Sequence, residues 1–409
     1  MIKYLLISFL FLWSCGPSNG NAINDQQKQE VQNQDSLSND EMEQEEETGT
    51  DTDSTTTAFD EELYLYIGTY TDAGSKGIYL ANFDVDSGLI STPKLVATVN
   101  NASFQCISTD ETQLWSVNES GSGNGEVVGF RIDSNNGTLS EIGKYSTKGS
   151  GPCYVSYDEI GNTVLAANYN SGNVIRIETG ANNKGNSSVH QHEGSGPNVS
   201  RQSSTHAHSI KIDLKGKYAY SCDLGADKIY VYKLEETGLK VFKTIQTQSG
   251  SGPRHLDFHP EGKAMMVLNE LNSSVETYLP DQDGCFSKFQ KATKTIPSTF
   301  TANNQCADIH FSSDGKLLFA SNRGHNSIVS FKVNQTNMEL TLLGYMQENI
   351  DWPRNFALSP DGNFILVANQ NSNLLTVYRV NQNTGLLSFT GNQISLSKPV
   401  CVNLMLKTK

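Results

Sequence analysis

"PRNFALSPDGNFILVANQ" spans residues 353–370, and "PRHLDFHPEGKAMMVLNE" spans 253–270. The two align over eighteen residues without a gap. Each reads as a short apolar strand, a tight turn with Gly, and a second apolar strand ending in Asn plus a polar residue. The same frame fits 306–323, 207–224 and 152–169, and more loosely 102–119. Its penultimate residues are Asn118, Asn168, Asp223, Asn269, Asn322 and Asn369, separated by 50, 55, 46, 53 and 47 residues. A period of about 50 residues built only of strands predicts a β-propeller.

Alternating stretches such as "KIYVYKL" (228–234), "SIVSFKV" (327–333) and "LLTVYRV" (374–380) supply third strands, and "GLLSFTG" (385–391) a fourth. The ends complete the count. "LYLYIGTY" (63–70) looks like a second strand with no first, and "KPVCVNLML" (398–406) like a first strand with nothing after it. Pairing them closes the ring and removes the exposed sheet edges. The expected fold is all-β, a seven-bladed propeller whose N- and C-terminal strands share one blade. Two separate β-sandwiches would not keep so regular a period.

The 409 residues carry a formal net charge of −14, which is unevenly spread. Residues 16–62 hold 14 acidic side chains and one basic, Lys28, whereas 63–409 hold 30 and 28. The near-neutral body gives no hint of a phosphate-backbone binder, so no nucleic acid partner is expected. Lys3 precedes an apolar run, Tyr4 to Trp13, and then Ser14-Cys15-Gly16. This is a secretory signal, too short to span a bilayer. Leu12-Trp13-Ser14-Cys15 resembles a bacterial lipobox, although Trp13 is bulky for it, which makes Cys15 the candidate lipidation site. Residues 16–60 are polar and acidic, and read as a disordered tether. The domains expected are therefore the signal (1–15), the tether (16–60) and the propeller (61–409). The expected location is the bacterial cell envelope, facing the periplasm or displayed on the cell surface, with membrane contact only through the lipid. The six other cysteines show no C-x-x-C spacing, so neither a zinc site nor a disulfide scaffold is indicated.

In a propeller the first strand of each blade lines the channel and the second returns antiparallel to it. The start of one and the end of the other therefore meet at one face. The first-strand position holds Ser103, Cys153, His208, Arg254, Ala307, Arg354 and Val400. The second-strand end holds Tyr70, Glu119, Tyr169, Leu224, Glu270, Arg323 and Gln370. One ring thus gathers a His, three Arg and two Glu, which is costly unless they pair or bind something. An ion-pair lattice joining the blades would also explain it. A pocket is favoured because His208, Arg254, Glu270 and Arg323 come from consecutive blades.

At these residues the chain is similar to a known group. "GSGPNVSRQSSTHAHSI" (194–210), "GPRHLDFHP" (252–260), "VLNE" (267–270), "SNRGHNSI" (321–328), "YIGTYT" (66–71) with "GIY" (77–79), and "NYNSGNV" (168–174) resemble signatures of the lactonase family of seven-bladed propellers. That family includes bacterial 6-phosphogluconolactonases and fungal carboxy-muconate lactonizing enzymes. The resemblance covers residues 62–409. It implies a polar site on His208, Arg254, Glu270 and Arg323, the residues the repeat frame selects by itself. Two departures stand out: "STHAH" replaces a Pro-His-x-His start, and the export signal points away from a cytoplasmic sugar phosphate.

The expected activity is hydrolysis of a small anionic or sugar lactone by a monomer, with no metal and no cofactor. Arg254 and Arg323 would anchor the anionic group and polarise the ring carbonyl. Glu270 or His208 would activate water, and His208 would protonate the leaving alkoxide. His206, Arg201, Gln202, Tyr169, Glu119, Gln370 and Arg354 are candidate substrate contacts, with His325 at the rim. His255 and His259 read as structural. Arg354 faces either the pocket or an ion pair with Glu119. No Gly-x-Ser-x-Gly elbow supports a serine nucleophile. A muconate-type cyclase or lyase, or a non-catalytic binding propeller, are the alternatives.

Overall fold

The computed structural model describes residues 62–407, apart from 120–122, 124, 181–184 and 236–237. The signal segment, Cys15 and the whole of the tether lie outside the described residues. Twenty-eight strands, β1 to β28, form seven four-stranded antiparallel sheets, and no helix occurs among the described residues. Six sheets are consecutive meanders. The seventh has the order β28-β1-β2-β3, in which β28 (Pro399–Leu406) pairs with β1 (Glu62–Thr69) from Leu63↔Leu406 to Gly68↔Cys401. The two chain ends therefore close one blade, as the terminal half-patterns predict.

The second strands are buried on both faces, because each blade is packed between two others. Strand β17 (Met265–Asn269) illustrates the division of labour. Met266 and Leu268 join a cluster with Ile309, Leu318 and Val329 of the next blade. Met265 and Val267 join one with Tyr218, Tyr220 and Val231 of the preceding blade. Strand alternation thus sends successive side chains to opposite blade interfaces. Seven such clusters exist, one per interface. Each fully buried Leu, Val or Met contributes about 1.5–3 kcal/mol relative to exposure, so the ring is rigid by summation. The six cysteines of the body are free thiols.

Candidate active site

The innermost strands share one irregularity. In six blades their pairing slips where the repeat frame places the ring residue. The skipped residues are Cys153 in β8 (Pro152–Asp158), His208 in β12 (Ala207–Ile212) and Arg254 in β16 (Pro253–Phe258). The others are Ala307 with Asp308 in β20 (Gln305–Phe311), Arg354 in β24 (Pro353–Leu358) and Val400 in β28. A bulge leaves its residue without a ladder partner and re-aims its side chain. The second-strand ends are pinned alongside. Tyr70, Glu119, Tyr169, Leu224, Glu270 and Gln370 each donate their N–H to a carbonyl just before the first strand of the same blade.

Glu270 is the centre of the cluster. It is 2 % exposed. Its Oε1 accepts from Arg201 Nη2 at 2.5 Å, and its Oε2 accepts from Arg323 Nη2 at 2.8 Å. Arg254 Nε lies 3.0 Å from the same Oε2, as an ion pair without an aligned hydrogen bond. Burial alone would raise the carboxyl pKa, but Arg323, Arg254 and Arg201 outweigh it and hold it at about 2. Arg254 shows the opposite balance. Burial, Arg323 and Arg354 lower its pKa to about 9 against the pull of Glu270.

Around this clamp stand the groups that can meet a ligand. His208 is buried, with Nδ1 3.7 Å from Cys153 Sγ, and Tyr169 packs edge-on against it at 5.3 Å. Burial, Arg254, His255 and Arg354 push its pKa well below the usual imidazole value, so it is neutral at neutral pH. Its Nε2 has no hydrogen-bond partner among the described residues. Burial raises the Cys153 thiol to about 12, which makes it a poor nucleophile. His206 stacks on Tyr169 at 4.4 Å, and its Nδ1 lies 2.9 Å from the Tyr169 carbonyl oxygen. Arg354 sits 5.0 Å over the Tyr70 ring, and Tyr70 donates to Glu119 Oε2 at 3.2 Å. Arg354 itself has no hydrogen bond or ion pair among the described residues. Its guanidinium lies over the Tyr70 ring and forms no ion pair with Glu119, whose charge still acts on it. Gln370 Oε1 is buried and accepts no hydrogen bond among the described residues.

Three expectations change. Arg254 and Arg323 are only 2 % and 4 % exposed, and spend donors on Glu270 and on the carbonyls of Ala307, Gln305 and Cys306. They cannot also be the open anion receptors; the more accessible cations are Arg201, 30 % exposed, and Arg354. Gln202 is fully buried, donating to Leu224 O at 2.8 Å and Asp227 Oδ1 at 2.7 Å, so it does not rim the pocket. His325 is also buried, its Nδ1 2.7 Å from Ser327 Oγ.

The floor of the site is a plug of rings. Phe104 and Tyr154 stack at 4.1 Å, and His255 packs edge-on against both and against His208. His255 Nδ1 lies 2.8 Å from Asp308 Oδ1, and His310 Nε2 lies 2.8 Å from Asp308 Oδ2. Arg254 Nη1 donates to His255 Nε2 at 3.2 Å, which fits the neutral ring that burial and Arg254 impose, at about 3. Beyond the plug a cavity of about 310 Å³ is lined by His310, Asn355, Phe356 and Cys401. Among the described residues no group of three His, Cys, Asp or Glu is arranged to hold a metal.

Residues 64–404 match the family described as "Lactonase, 7-bladed beta-propeller". The chain belongs to the lactonase family. Within it, the chain is 35% identical over 344 residues to the 6-phosphogluconolactonase of Bacillus subtilis, covering 83% of this chain and 97% of that one. It is 34% identical over 316 residues to the 6-phosphogluconolactonase of Formosa agariphila, covering 72% and 86%. The crystal structure of a periplasmic gluconolactonase from Pseudomonas aeruginosa superposes with a TM-score of 0.78 at 29% identity, covering 84% of this lactonase-family chain and 99% of that one.

Proposed function

We propose that this protein hydrolyses a small sugar lactone, in the manner of a 6-phosphogluconolactonase, at the mouth of its propeller channel. The observation that carries this reading is a neutral, buried His208 and a carboxylate, Glu270, held by three guanidiniums, with Arg254 acting on both. An imidazole that stays unprotonated at neutral pH is available as a base. Water gives a proton to His208 and attacks the lactone carbonyl. Negative charge then develops on the carbonyl oxygen, where the arginine-rich mouth stabilises it. The ring C–O bond breaks, and the proton on His208 passes to the departing alkoxide. Glu270 has both carboxylate oxygens engaged by arginines, so its part is to hold Arg201, Arg254 and Arg323 in one field. Arg354, in no ion pair among the described residues, meets an anionic substituent of the substrate.

The leader is part of the same proposal. In it, lipidation at Cys15 holds the enzyme on the cell envelope through the acidic tether, facing the periplasm or displayed on the cell surface. The Pseudomonas relative is named a periplasmic enzyme, which suits an exported lactonase. The test is direct. The protein, supplied with 6-phosphogluconolactone and with gluconolactone, acidifies the medium faster than buffer alone. Turnover of neither, by wild type, sinks the reading. Loss of fatty-acid labelling in Cys15→Ser checks the anchor separately.

A further inference from the structure

Arg201 reaches Glu270 from outside the repeat, on the connection between β11 (Ser187–Gln191) and β12. This stretch has no strand pairing, so something else must fix it. Its anchor is Gln202, whose Nε2 donates to Asp227 Oδ1 at 2.7 Å and whose Oε1 accepts from Asn198 N at 3.1 Å. Behind Gln202 the loop crosses the turn of the next blade, where Ser204 O meets Gly225 with no room for a Cβ.

Asp227 lies in that turn, between β13 (Tyr218–Asp223) and β14 (Lys228–Glu235), buried and at a φ of +54°. Its carboxylate is shared between two segments. On the other side Oδ1 accepts from Gly252 N at 2.8 Å and Ser251 Oγ at 3.4 Å, and Oδ2 accepts from Gly250 N at 2.6 Å. Gly252 precedes β16, two residues before Arg254, and its carbonyl accepts the N–H of Glu270 at 2.7 Å. No ion pair joins Asp227 to a cation among the described residues. Amide and hydroxyl donors alone satisfy it, and a buried carboxylate is costly unless they do so.

We propose that Asp227 is a positioning residue: one carboxylate sets the loop that delivers Arg201 against the turn that carries Arg254 and Glu270. It touches none of these side chains. The proposal rests on the mouth being the lactonase site only for its kinetic consequence. Its structural consequence is independent of substrate.

Asp227→Asn keeps the size but turns an NH2 toward a donor set. One lost buried acceptor of this kind corresponds to roughly 5- to 150-fold in an equilibrium. The expected result is a KM raised about tenfold or more, with kcat changed less. On an Arg201→Met background the same substitution adds little, because the loop has nothing left to deliver. Limited trypsinolysis supplies the second readout, since Arg201 precedes a cleavable bond. Cleavage after Arg201 accelerates in Asp227→Asn while other sites keep their rates. Gln202→Met, which removes the loop-side bond to Asp227 together with those to Leu224 O and Asn198 N, reproduces both effects and serves if Asp227→Asn does not fold. Full additivity with Arg201→Met, or cleavage rising equally at every Lys and Arg, overturns the proposal. If wild type opens no lactone, the trypsin result alone decides it.

Discussion

Glu270 and Asp308 are both carboxylates buried along one channel, yet they are neutralised by different chemistry. Glu270, just past the end of β17, faces three guanidiniums. Asp308, below the ring plug, faces His255, His310 and the side-chain amide of Asn355. The guanidiniums stay charged at neutral pH, Arg254 included with its pKa of about 9, so the field around Glu270 persists there. Imidazoles titrate, so the charge balance around Asp308 does not persist at every pH. Under the proposed function, the first cluster presents charge to a ligand and the second holds blades together.

Removing the mouth carboxylate should have the largest effect. Glu270→Gln leaves three arginines without their counter-charge, an uncompensated cluster costing about 3–5 kcal/mol. Lactone turnover should fall by about a thousandfold, since it also disperses the cations. Denaturant unfolding and initial rates measure both; a variant with intact rate would break the contrast. Next comes Asp308→Asn, which should lose about 1–3 kcal/mol of stability while kcat changes little. A large loss of kcat there would make the lower cluster part of the catalytic machinery. Arg354→Met is smaller again. KM for a phosphorylated lactone should rise about tenfold, roughly 1.4 kcal/mol, with gluconolactone unaffected. Equal effects on both substrates would remove Arg354 from anion recognition.

The smallest effect is a slope. Although burial opposes it, Asp308 raises the His310 pKa above its ordinary value. The stabilisation from that imidazolium is therefore complete below the unfolded pKa and is lost as pH climbs through the folded one. Glu270 behaves oppositely, contributing fully above about 4.5 and losing its contribution as pH falls toward about 2. A melting curve measured from neutral to alkaline pH should fall more steeply in wild type than in His310→Gln. Identical slopes would mean that His310 does not titrate differently in the folded state.

The blades were readable because their strands are buried on both faces, which imposes a similar frame on each repeat. His208, Arg254, Glu270 and Arg323 were readable because the frame exposes departures from itself. Arg201 was visible only as a rim candidate. It lies between repeats, and nothing in local sequence fixes how far a loop reaches. Gln202 was misplaced for the same reason: a polar side chain beside Arg201 looked exposed, while Asp227, distant in sequence, draws it inward. The Asp308 cluster stayed hidden because a bulge undoes strict alternation, so parity along β20 does not reveal which residues meet in the channel.

That recurring bulge has a consequence for how such a protein can change. A residue that has left the ladder can be exchanged without rewriting the hydrogen bonds on either side of it. Six blades offer such an interchangeable socket around one opening. The pairing that holds each blade together therefore does not depend on which side chain fills its socket.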